Sequence, residues 1–145
     1  MLFADHEDYD DIGLALMGAG FAVRVIDGRG VTTRREVFSA VADALGLPDT
    51  AHDHLDALAD SLQDLSHFCP GHQRLVLLWR NAEHLLDADP ELWEEVADVL
   101  RESSAMLWTG HDETEDMIFE TIAFLVGYDV YPLRLGVVEE AGGSI

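Results

Sequence analysis

The sequence predicts an α/β domain: a three-stranded parallel β-sheet packed by helices, with an extra C-terminal segment. Three observations carry this. Phe21 to Ile26 (FAVRVI) and Leu75 to Trp79 (LVLLW) have the length and the apolar, partly β-branched character of strands. Apolar residues at helical spacing fill the stretches between and after them. The resulting order of strand, helices, strand and helix is the alternation that builds parallel sheets through right-handed crossovers.

Taken in order, residues 1–20 read as an acidic arm with a short helix. Asp5, Glu7, Asp8, Asp10 and Asp11 make the arm solvated, and Asp11 to Met17 forms a helix ended by Gly18. The first strand is bounded by Gly20 and by Asp27-Gly28. Thr33-Arg34-Arg35-Glu36 has the S/T-x-x-E form of a capping box, in which side chain and backbone satisfy each other at a helix start. Val37, Phe38, Val41 and Leu45 follow at helical spacing, and Gly46 and Pro48 stop that helix. A second helix is expected from about Asp53 to Leu65.

The continuous apolar run at Leu75 to Trp79 suits a strand buried on both faces. Asp89-Pro90 sets up another helix start, with Trp93, Val96, Ala97 and Leu100 as its buried stripe. Phe119 to Val126 (FETIAFLV) is either a third strand or a buried helix, which periodicity does not separate. Strand is preferred, because three strands make a stable layer where two are marginal. His111 to Asp116 is then an acidic loop. The folded domain spans 21–128, and 129–145 is a C-terminal tail or edge segment with a glycine-rich end.

The chain has 145 residues, a one-domain length that needs no disulfide or metal to fold. Its single cysteine, Cys69, forms no intrachain disulfide, which fits a reducing cytoplasm. Met1 to Asp11 lacks the basic region of a secretion signal, and no apolar run reaches the roughly 18 residues that cross a bilayer. Twenty-nine acids face eight bases, for a net charge of −21. All the bases are arginine, and none lies between Arg35 and Arg74. Such a chain repels nucleic acid and anionic membranes and attracts cationic partners.

On a helical wheel over 52–66, Leu55, Leu58, Leu62 and Leu65 share one side, while Asp53, Asp56, Asp60 and Asp64 stand nearly opposite. The aspartate row works against its own helix. Aspartate is a poor helix former, and like charges four apart cost about 0.2–0.5 kcal/mol per pair. Only an acid in the first turn, expected to be Asp53, gains from the helix dipole. A cationic partner would relieve this repulsion; a merely solvated face in an acidic protein accounts for the row equally well.

Other constellations are weaker. His52-x-His54 with Asp53 and Asp56, and His67-x-Cys69-x-x-His72, hold metal-ligating residue types without a familiar spacing, and polar loop positions account for them. His52-Asp53 and His111-Asp112 are similar to the H-D pairs of metal-dependent phosphohydrolases, but those enzymes are largely helical and need further ligands. Cys69 beside Pro70-Gly71 reads as a loop thiol. No catalytic residue, cofactor or metal is expected.

Three stretches carry a family resemblance. Leu47-Pro48 is followed by Leu55-Asp56-Ala57-Leu58-Ala59-Asp60-Ser61-Leu62, then by Leu75-Val76-Leu77-Leu78-Trp79-Arg80, then by Arg101-Glu102. Over about residues 21–106 the chain resembles the barstar family, intracellular inhibitors of barnase-type ribonucleases. The resemblance implies a three-stranded parallel sheet with helices, and a second helix that, with the loop before it, plugs a ribonuclease active site. Asp60 looks like the family's central aspartate, Asp56 like its partner on the same face, and Glu102 like an outlying acid. The barnase–barstar pair is itself the reference case for charge-steered association, so that energetic picture comes with the family.

Two departures accompany the resemblance. The loop, usually aromatic and glycine-containing, is Thr50-Ala51-His52-Asp53-His54, and the tryptophan often found between the aspartates is Ala59. The expected partner-binding set is Thr50, Asp53, His54, Leu55, Asp56, Ala59, Asp60 and Glu102. The expected partner is a small basic ribonuclease or another cationic protein toxin, with an acidic module for a different basic protein as the alternative. Protonation of His52 and His54 below pH about 6.5 would weaken such binding.

Overall fold

The computed structural model describes residues 1–65, 74–108 and 117–126. In chain order they form β1 (Leu2–Asp5), a 3-10 turn (His6–Asp8), α1 (Tyr9–Gly18), β2 (Ala22–Asp27), α2 (Arg34–Leu45), a second 3-10 turn (Asp49–His52), α3 (Leu55–Gln63), β3 (Arg74–Arg80), α4 (Glu83–Ala88), α5 (Pro90–Trp108) and β4 (Ile118–Leu125).

The sheet has four strands in the order β1-β4-β3-β2, and every neighbouring pair is parallel. This corrects the expected three. Leu2 to Asp5, at the head of the expected solvated arm, pairs in register with Ile122 to Leu125 at the sheet edge. The segment has only four residues, too short for a period-two pattern to stand out, and it gains its order from the β4 ladder. The helix after it also starts earlier than expected, at Tyr9. The choice left open at 119–126 resolves as strand.

Topology places the helices. The chain leaves β1, crosses the sheet to β2 through α1, then steps back through β3 to β4. Right-handed crossovers running in opposite directions lie on opposite faces. Two separate cores follow. On one face, Ala4, Val76, Leu78, Ile122 and Phe124 pack with Leu16 of α1. On the other, Leu75, Leu77 and Trp79 meet Val37, Phe38, Leu58, Leu62 and Val96 of α2, α3 and α5. The period-two alternation of β3 feeds both, which is why Leu75 through Trp79 is apolar without a break.

Local signals are borne out at the ends of α2 and at the start of α5. Thr33 and Glu36 form the reciprocal capping box, and Gly46 ends α2 in the left-handed region at φ 68°. The Asp89 carboxylate accepts from Leu92 N–H at 3.1 Å, capping α5 beside Pro90. Trp93 of α5 meets Trp79 edge-to-face at 5.4 Å, an arrangement worth about 0.5–1.5 kcal/mol beyond area burial. At the other end of β2, Gly28 N–H donates to Arg80 C=O at 2.7 Å. A Cβ on Gly28 would clash with that oxygen, so only glycine fits between the turn and β3.

The expected acidic loop 111–116 and the tail 129–145 lie outside the described residues, as do His67, Cys69 and His72.

Candidate functional site

The site is built on α3 and the turn before it. Gly46 and Pro48 release the chain from α2, and the Asp49–His52 turn folds back along that helix with Ala51 fully buried. His52 fastens this return. Its Nδ1 lies 3.1 Å from Ser39 Oγ, and its Nε2 lies 3.5 Å from an Asp43 carboxylate oxygen, both on α2. His52 is therefore partly buried and engaged within the fold, whereas His54 is exposed. The two histidines do not form one surface pair.

α3 begins two residues later than expected. His54 is its N-cap residue in extended conformation and makes no side-chain cap, so Asp53 precedes the helix and gains nothing as a first-turn acid. Asp56 takes that place. Leu58, Leu62 and Leu65 are fully buried, and Leu55 is half-buried against the same core. Asp53, Asp56, Asp60 and Asp64 are all exposed on the other side. The wheel therefore describes α3 correctly in its two faces, while its N-terminal boundary moves.

Among the described residues, neither the Asp56 nor the Asp60 carboxylate has a hydrogen-bond or ion-pair partner. Five of the described arginines have other partners. Arg29 pairs with Asp27 at 2.7 Å, Arg34 with Glu95 at 3.0 Å and Arg101 with Asp98 at 3.0 Å. The Arg74 guanidinium donates to Ala19 C=O, and Arg80 stacks over the Tyr9 ring. The carboxylates of α3 thus keep their acceptor lone pairs open to solvent, on a helix whose rotation is fixed by its buried leucines.

The remaining expected residues fall around this face. Thr50 is exposed in the turn, and its C=O accepts from Asp53 N–H at 3.3 Å. Ala59 is half-buried between the two aspartates and presents no anchor side chain. Glu102 is exposed on α5, the helix that packs against α3, and no hydrogen bond or ion pair ties it to Asp56 or Asp60. Sequence reasoning missed the Ser39–His52–Asp43 clasp, because its partners are nine and thirteen residues away and carry no motif.

Among the described residues, no group of three or more His, Cys, Asp or Glu side chains converges to hold a metal, and no helix is long and apolar enough to cross a membrane. What the arrangement can do is accept charge-assisted hydrogen bonds from cationic groups, which are short and roughly twice as strong as neutral ones. In comparisons with known proteins, a family described as Barstar (barnase inhibitor) matches residues 21–120. No curated protein matches the chain.

Proposed function

The chain belongs to the barstar family, and from that membership we propose that it is an immunity-type inhibitor that occludes the cationic active site of a ribonuclease with the acidic face of α3. The observation that carries this reading is the pair Asp56 and Asp60: exposed, without partners among the described residues, and set on a helix anchored by fully buried leucines. A ribonuclease gathers arginine, lysine and histidine to hold phosphate. A carboxylate held at that subsite accepts the same hydrogen bonds and offers no scissile bond. Asp60 is the central contact in this reading and Asp56 its neighbour one turn away. Thr50, Asp53, His54, Leu55 and Ala59 form the near rim, and Glu102 is an outlying acid.

The chain acts in this account as a ligand, not a catalyst. Its net charge of −21 speeds the approach to a cationic target over the first nanometre, an effect that salt screens with a length of about 8 Å. A second reading is the same face directed at a different basic protein toxin. The loop favours it, since Thr50 to His54 contributes no aromatic side chain, and aromatic anchors commonly dominate interface energy.

The test is titration of small basic microbial ribonucleases with the full chain. Loss of RNA cleavage at one-to-one stoichiometry supports inhibition of a ribonuclease. Binding that leaves cleavage intact supports the second reading. Metal retained through purification, with hydrolysis of a phosphoester, would overturn both.

A further inference from the structure

Beside the acidic face lies a pocket of about 200 Å³ lined by Arg34, Arg35, Phe38, His52 and Asp53. Its walls come from two elements: the first turn of α2, and the turn that returns along α2 toward α3. Each lining group has a distinct state. The Arg34 guanidinium lies over the Phe38 ring, 5.3 Å from its centroid, and is tethered to Glu95. His52 is held by Ser39 and Asp43, so it serves as a fixed wall. The side chains of Arg35 and Asp53, both exposed, have no hydrogen-bond or ion-pair partner among the described residues.

A bare carboxylate would meet Asp53, and a bare cation would meet two arginines. A purely apolar group would leave Arg35 and Asp53 desolvated without compensation. The guest that satisfies all of them is a flat ring carrying one group that both donates and accepts. Stacked guanidinium and aromatic ring suit the flat part. Arg35 supplies a donor and Asp53 an acceptor for the hydroxyl. Asp53 also lies three residues before Asp56, so an occupant here borders the acidic face of α3.

We propose that this pocket seats a tyrosine side chain of the protein partner. The inference rests on the inhibitor reading for the identity of that partner, and it deepens that reading. The aromatic anchor that the chain's own loop lacks is supplied from the other side of the interface, where aromatic side chains commonly carry much of the binding energy.

The experiment has two arms, and the first needs no ribonuclease. The full chain, isotopically labelled, is titrated with p-cresol and separately with toluene while backbone amide shifts are followed. The proposal expects p-cresol to move the amides of Arg34, Arg35, Phe38, His52 and Asp53, toluene to move them less, and Arg35→Ala to abolish the p-cresol response. Shifts spread over the exposed apolar residues Leu14 and Met17 of α1, or no shifts, would overturn it.

The second arm measures association and dissociation rates of wild type and Arg35→Ala against an inhibited ribonuclease. Arg35 is exposed and caps nothing, so the variant should fold. Removing a positive charge from an acidic inhibitor should by itself speed association with a cationic target. A filled pocket instead predicts dissociation at least about tenfold faster. Unchanged dissociation overturns the tyrosine seat while leaving inhibition standing. If no ribonuclease is inhibited, the inhibitor reading falls and the p-cresol arm alone decides what the pocket accepts.

Discussion

At the scale of single residues, the fold and the site depend on different kinds of group. Gly28 is a packing constraint: an added Cβ would clash with the Arg80 and Asn81 carbonyl oxygens, both backbone atoms that move only with the strand end. Gly28→Ala is therefore expected to lower stability by about 1–3 kcal/mol, as overpacking does, and urea denaturation will read it as a shift in midpoint. Its neighbour Asp27 is an electrostatic contribution. The Arg29 side chain, then the Arg29 backbone N–H, bond its carboxylate and hold its pKa near about 2 against an ordinary 3.8. A carboxylate with a depressed pKa adds stability above its ordinary pKa and loses it as pH falls through the folded value. Melting temperature in Asp27→Asn should thus fall less than in wild type between pH 4 and pH 2. Because the pair is half exposed, the difference should be small. The Asp60 carboxylate, by contrast, satisfies nothing inside the molecule, and removing it should not weaken the fold, while Asp56 contributes only as a first-turn acid, about 0.3–1 kcal/mol.

At the scale of elements, α3 separates anchoring from recognition by face. Leu58→Ala should cost about 2–5 kcal/mol, because Leu58 is fully buried among α2, α5 and the turn before α3 and leaves a cavity there. Chemical denaturation measures that loss, and Asp60→Ala measured beside it should show none. How much of each element was legible in the sequence follows from where its ordering forces lie. The capping box at Thr33, the Gly46 stop and the run at Leu75 to Trp79 are local or fully buried, so side-chain type alone declares them. β1 is ordered by a ladder to residues more than a hundred positions away, and four residues carry no pattern of their own. The start of α3 moved because the Asp49–His52 turn takes up the chain first, through the contact of His52 with Ser39. The two faces of α3 were legible because burial sets them. The pocket was not, because Arg35 and Asp53 meet only through the return of the chain along α2.

At the scale of the whole molecule, charge dominates. A net charge of −21, with few ion pairs among the described residues, means the folded state repels itself. Raising sodium chloride from about 20 to about 200 mM should therefore raise the melting temperature of the free protein while slowing its association with a cationic target. The same salt should leave dissociation nearly unchanged if the contacts are desolvated. Differential scanning fluorimetry and stopped-flow mixing check the two halves separately. The central claim is that a carboxylate on α3 occupies a cationic active site. It is tested most directly by inhibition of a panel of small basic ribonucleases with wild type and Asp60→Ala side by side. The account predicts stoichiometric inhibition by wild type and an affinity loss of about 30-fold or more in Asp60→Ala, the equivalent of at least about 2 kcal/mol, with folding intact. Equal inhibition by both proteins would contradict it.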